Sequence, residues 1–185
     1  MWSEYMIKTL GILEFRSIAK GIEIADVVLK AAEVELVVCK TICPGKYMIF
    51  ISGEVGAVNE ALDKAKEQSE EFLISSFLLP SVHEDVANAL KNKIRMQPRG
   101  AIGIVETTNV TSGIFILDKA LKSADVNLFK IVIGMAIGGK SYFVIYGDVS
   151  SVKEAVKEAL NANEKKNIVY SIVIPSPSKE LIKSL

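Results

Sequence analysis

The chain has 185 residues, half of them hydrophobic, with 22 basic and 22 acidic side chains, one histidine and two cysteines. That length buries a core and holds one domain or two small ones, and the balanced charge gives no support to a nucleic-acid or anionic-membrane surface. Polar residues interrupt every apolar run well short of a membrane span. The opening "MWSEYMIKTL" lacks a basic stretch followed by an apolar one, and two cysteines without an export signal point to a reducing cytosol where a disulfide is not expected.

In chain order, the apolar run 9–15 predicts a buried strand. A helix follows near 18–32, with Ile18, Ile22, Ala25, Leu29 and Ala32 recurring at spacings of three and four. A strand over 34–42, a glycine-containing turn and "YMIFISG" (47–53) predict a hairpin. A second helix begins near 55, with Val55, Val58, Leu62 and Ala65 on one face. The run "FLISSFLLP" (72–80) predicts a strand, and "VHEDVANALKN" a short terminal helix. This β-α-β-β-α-β order is the split βαβ, ferredoxin-like arrangement.

The same order then recurs. At a constant offset of 92, Gly11, Ile12, Glu14, Gly21, Ile22, Ile24 and Asp26 meet Gly103, Ile104, Glu106, Gly113, Ile114, Ile116 and Asp118. Leu29, Lys30 and Leu36 likewise meet Leu121, Lys122 and Leu128. After a two-residue insertion, Gly45, Lys46 and Gly53 meet Gly139, Lys140 and Gly147. The chain is therefore a tandem duplication. It is expected to hold two α/β (α+β) domains, 8–92 and 101–185, joined by the linker "NKIRMQPRG" (92–100). A positive mean hydropathy of +0.32 without membrane segments adds a hint of apolar surface buried between subunits.

Several motifs compete for a functional role. "GMAIGGKS", Gly134 to Ser141, satisfies the G-x-x-x-x-G-K-[ST] pattern of a phosphate-binding loop. Such a loop must run from a strand into a helix N-terminus, whereas the residues that follow, "YFVIYGD", predict a strand. A glycine-rich hairpin loop is the expected reading. His83 stands near a helix start with no nucleophile at a family-type spacing, and a solvated surface position is expected for it. No catalytic residue emerges. Glu14 and Glu106 recur inside apolar strands, where a carboxylate without a partner is costly; an acid pair is one reading, and their duplication at equivalent places points instead to a structural hydrogen-bonding role at a domain contact. Lys30 and Lys122 recur at the ends of the two first helices, and their duplication points to assembly.

The cysteines divide. Cys39 falls in an apolar strand and is expected in the core as a small hydrophobe. Cys43 precedes Pro44 and Gly45 in the turn, where a side chain projects outward. Iron–sulfur clusters usually take four thiolates, and the chain has no C-x-x-C series, so one subunit does not hold a cluster. A three-fold symmetric trimer would bring three copies of Cys43 to one axis. An exposed ring of thiols and a zinc ion held by three thiolates and a water stay open beside it.

The repeated Gly-Ile-(Leu/Val)-Glu pattern, the helices ending "VLKAAEVEL" and "ALKSADVNL", and the segment "GGKSYFVIYGDVSSVKEAV" resemble bacterial microcompartment shell proteins. Two copies in one chain resemble the tandem-domain, trimeric branch of that family, over nearly the whole length. The resemblance implies a homotrimer whose six domains imitate a hexamer. It implies a tile that joins other shell proteins around a metabolic compartment in the cytoplasm, with no nucleic-acid or membrane partner. Loops between the second and third strands would line a central pore: Thr41, Ile42, Pro44 and Gly45 in the first copy, Met135, Ala136, Ile137 and Gly138 in the second. The resemblance also implies that Cys43, one from each of three chains, ligates one 4Fe–4S cluster per trimer, for electron transfer or cluster exchange across the shell. A redox enzyme of the compartment is then a further partner left open, and Lys30 and Lys122 match the family's edge lysines. The tails "LPSVHEDV" and "IPSPSKEL" lack the family's common Arg-Pro-His edge motif, so other edge residues stay unassigned. The rival readings are an open metabolite pore lined by free thiols and a small-molecule-binding ferredoxin-like module.

Overall fold

A computed structural model describes residues 7–91, 98–162 and 165–185. Of the expected linker, residues 92–97 lie outside the described ones. The chain divides into two compact units, 1–82 and 83–185. The first contains β1 (Leu10–Phe15), α1 (Ile18–Ala31), β2 (Val34–Ile42), β3 (Lys46–Gly53), α2 (Val55–Gln68) and β4 (Leu73–Leu79). The second begins with α3 (Glu84–Leu90) and continues through β5 (Ala101–Thr107), α4 (Val110–Ser123), β6 (Val126–Ile133), β7 (Ser141–Gly147), α5 (Val149–Asn161), β8 (Ile168–Ile174) and α6 (Lys179–Ser184). The short helix that closes the first repeat in sequence thus packs as part of the second unit.

Each unit carries one four-stranded sheet, in the orders β2-β3-β1-β4 and β6-β7-β5-β8, with every neighbouring pair antiparallel. This is the mixed α/β, ferredoxin-like arrangement that the element order predicts. The duplication extends to irregularities: the register slips between Leu36 and Val38, and again between Leu128 and Lys130. Central β1 is buried along its whole length, because strands pair with both of its edges; the edge strand β2 is mostly half-buried or exposed. The first core joins Leu13, Phe15, Ile24, Val28, Ile49, Ile51, Val58 and Leu62.

Helix starts follow from local chemistry. Ser17 caps α1 by accepting from the Lys20 amide at 3.3 Å, and Asn109 caps α4 by accepting from the Ser112 amide at 2.8 Å. The recurring Gly21 lets α1 lie close on β3, since a β-carbon there would come within 2.5 Å of the Tyr47 ring. That approach sets the helix rotation, and it corrects the expected apolar face. The buried side of α1 is Gly21, Ile24, Ala25 and Val28, while Ile22 and Leu29 are exposed. Of the stripe read from sequence, Ala25 and Ala32 meet the core, while Ile22 and Leu29 point away from it. In α2, Val55 is likewise exposed, and the buried face is Val58, Ala61, Leu62 and Ala65.

Candidate functional site

The β2–β3 turn rests on an ion pair beneath it. Lys46, the residue after Gly45, donates to Glu14 in the middle of the sheet at 3.0 Å, and the Glu14 side chain is fully buried. In the second unit, Lys140 occupies the matching exit of its loop and donates to Glu106 at 2.9 Å. Both recurring carboxylates therefore have a partner inside their own sheet, where the sequence reading expected a role at a domain contact. Recurrence of Lys46 and Lys140 was the signal for this pairing, and it is legible only once the strands are paired.

Between Ile42 and Lys46 the chain reverses through Cys43, Pro44 and Gly45, with the Gly45 amide donating to the Ile42 carbonyl at 3.1 Å. The Cys43–Pro44 peptide is cis, and Gly45 has φ 95°, a left-handed conformation that suits glycine. Ile42 is buried and anchors the hairpin end, whereas Thr41, Pro44 and Gly45 are exposed and Cys43 is half-buried. A side chain added at Gly45 would meet nothing within 4 Å, so the turn borders open space.

Cys39 corrects its expected place. It is exposed, because β2 is an edge strand, and its Sγ lies 3.2 Å from the Tyr47 hydroxyl on neighbouring β3. That hydrogen bond, with burial, pushes the Tyr47 phenol up to about 12, and either group can be the donor in the contact. Among the described residues no three His, Cys, Asp or Glu side chains converge on a common point. Cys43 is thus the thiol that this turn presents, one per chain.

The phosphate-loop pattern at Gly134–Ser141 is a hairpin loop between β6 and β7, as its strand-like continuation requires. Gly134, Ala136, Gly138 and Gly139 all have positive φ, the Gly134 amide closes the loop on the Lys140 carbonyl at 2.9 Å, and the motif's lysine is committed to Glu106. Met135, Ala136 and Gly138 are exposed and Ile137 half-buried. His83 is half-buried as the α3 N-cap, its Nδ1 accepting from the Asp85 amide at 3.2 Å, where the sequence reading expected a solvated surface position.

Lys30 and Lys122 each lie 2.5 Å from an aspartate one turn earlier, Asp26 and Asp118. The two pairs differ in setting. Lys30 and Asp26 are open to solvent, whereas Asp118 is buried and also accepts from the His83 amide at 2.8 Å. Asp26 and Asp118 recur in the repeat, yet their pairing with the lysines was not read from sequence.

Two sheets of one topology, matched bulges and matched hairpin loops define a duplicated domain, and the bacterial microcompartment (BMC) domain matches residues 9–82 and again 101–177. The chain belongs to that family, as a structural shell protein carrying the domain twice. It is 41% identical, over 97% of its length and 98% of the relative's, to the bacterial microcompartment shell protein PduT of Citrobacter freundii. Among solved structures it resembles a microcompartment protein from Desulfitobacterium hafniense, with a TM-score of 0.82 and 40% identity over 96% of this chain and 99% of that one. It also resembles a fused permuted hexameric shell protein of the RMM microcompartment, with a TM-score of 0.62 and 25% identity over 83% and 79% of the two chains.

Proposed function

We propose that this shell protein assembles as a homotrimeric tile, six domains imitating a hexamer, with the Cys43 turns of three chains gathered around a central pore. The observation that carries the reading is an asymmetry between otherwise matched hairpins. One turn holds a thiol beside open space above a buried Glu14–Lys46 pair, and its counterpart loop, Gly134 to Gly139, has none. Three chains then contribute three thiolates, and six domains do not contribute six. In this reading Cys43 holds one 4Fe–4S cluster per trimer: each chain offers one thiolate, three-fold symmetry brings the count to three, and the fourth iron would be open to solvent or an exogenous ligand. When bound, such a cluster supplies one-electron redox chemistry. The protein's part is to hold the thiol on a short turn with Pro44 and Gly45 and to keep Cys39 engaged with Tyr47.

The tile would sit in the shell of a compartment in the cytoplasm, edge to edge with other shell proteins. Lys30 and Lys122 would lie at its edges, and a redox enzyme of the compartment would be the electron partner. The test is anaerobic purification with an absorption spectrum, metal analysis and light scattering. Wild-type protein should carry iron at about three times 20.2 kDa; Cys43→Ser should lose the iron and keep the mass, and Cys39→Ser should retain both. Protein without iron, zinc in its place, or equal loss on Cys39→Ser would overturn the cluster. A stable monomer would overturn the tile.

A further inference from the structure

The two units present the same helix face in two different states. On α4, Val110, Ile114, Leu117, Asp118 and Leu121 are all buried. Their counterparts on α1, at the offset of 92, are Ile18, Ile22, Ala25, Asp26 and Leu29. Ile22 is 54% exposed where Ile114 is 0%, and Leu29 is 43% exposed where Leu121 is 3%. The contrast continues onto the edge strands, with Leu36 38% exposed and Leu128 2%. Ala25 stands opposite the larger Leu117 and is buried in its own core, but at Ile22, Leu29 and Leu36 residue type, fold and strand or helix position match those of Ile114, Leu121 and Leu128. What differs is the cover.

In the second unit the cover includes residues 83–90. Helix α3 packs against α4 and β6, the His83 amide donates to Asp118 at 2.8 Å, and Asp85 accepts from the Leu128 amide in β6 at 2.9 Å. Among the described residues, Ile22 and Leu29 of α1 and Leu36 of β2 stay exposed. The repeat counterpart of 83–90 is 178–185: "LPSVHEDVANAL" aligns with "IPSPSKELIKSL", placing Ser178 at the position of His83 and Glu180 at that of Asp85. In this chain Leu181, Ile182 and Leu185 pack on Ile102, Val144 and Tyr146 of their own sheet, while Ser178, Lys179 and Glu180 stay exposed.

We propose that the bare α1 face, with Leu36 beside it, seats residues 178–185 of a second copy of this chain. There Ser178 donates its amide to Asp26, and Glu180 accepts from the Leu36 amide. The contact is head-to-tail, so it closes into a ring only if the rotation per copy permits. The inference deepens the trimeric reading and rests on it, but it names surfaces that the reading leaves unassigned.

The test uses the full chain with p-benzoylphenylalanine in place of Ile22, irradiated and resolved by mass. A product at twice 20.2 kDa, with the attachment mapped to 177–185, is the expected result. Attachment to any other segment, or no product of doubled mass from an assembled protein, would overturn the seat and leave the trimer standing. Ile22→Asp supplies the second arm. Because Ile22 is exposed in the single chain, its circular dichroism should match wild type, and its mass by light scattering should fall about threefold to that of one chain. A variant that stays trimeric overturns the inference, whereas a wild-type protein that is monomeric overturns the assembly reading itself.

Discussion

Glu14 and Lys46 tie the centre of the first sheet to the exit of the Cys43 turn, their charged atoms 3.0 Å apart with the carboxylate fully buried. Glu106 and Lys140 repeat the geometry at 2.9 Å, but there the carboxylate side chain is 35% exposed. Equal chemistry in unequal solvent gives unequal energies. Removing one partner of a buried pair costs about 3–5 kcal/mol, and an exposed pair contributes about 1 kcal/mol or less. Lys46→Ala should therefore lower the urea midpoint several times more than Lys140→Ala. Equal shifts from the two would show that Glu14 does not depend on Lys46.

Tyr47 provides a pH test of the Cys39 contact. The phenol is neutral when protonated, and its folded value of about 12 lies above its ordinary 10.0. The stabilisation from the contact is thus complete below the ordinary value and is lost as pH rises through the raised one. In an absorbance titration of tyrosinate, Tyr47 should ionise late, as should Tyr146, which burial and the nearby Asp85 also raise. Cys39→Ala should return Tyr47 most of the way to the ordinary range and leave Tyr146 where it was. A titration curve unchanged by that substitution would dismiss the sulfur as the cause.

For the two helix-end lysines the expectation separates assembly from stability. The double variant Lys30→Ala with Lys122→Ala should keep the trimer's mass in light scattering and lose extended sheets under the electron microscope. Taken singly, Lys30→Ala should change unfolding stability by no more than about 0.5 kcal/mol, since both members of its pair are exposed. Lys122→Ala should cost about 1–3 kcal/mol, because the buried Asp118 carboxylate loses its ammonium partner. Sheets that persist in the double variant would remove both lysines from the tile edge.

Much of this architecture is legible in the chain because it is written twice. The offset between Gly11–Asp26 and Gly103–Asp118 fixes two equivalent domains before any strand is paired, and β-branched residues after Ser141 mark the glycine loop as a hairpin. Where the reading misses, the missing information is neighbourhood. Ile22 and Leu29 keep helical spacing with Ala25, so periodicity alone does not say which of two adjacent stripes meets the sheet; the close approach at Gly21 decides it. Cys39 sits in an apolar run that reads as core, but strand order puts β2 at an edge. The partners of Glu14 and Asp118 are charges that recur in the sequence without saying to whom they are bonded.

The packing of α3 puts the chain's repeating unit and its folding unit out of phase. Residues 83–90 belong by descent to the first copy, yet their contacts with Asp118 and Leu128 are made in the second unit. Severing the polypeptide at the junction between the copies would not release two self-sufficient halves: the downstream piece would lose part of the wrapping of α4, and the upstream piece would keep a helix parted from α4 and β6. The natural seam is between Val82 and His83. Every substitution in α3 is therefore a substitution in the stability of its neighbour, and the two copies are free to diverge only as far as that borrowed helix still fits.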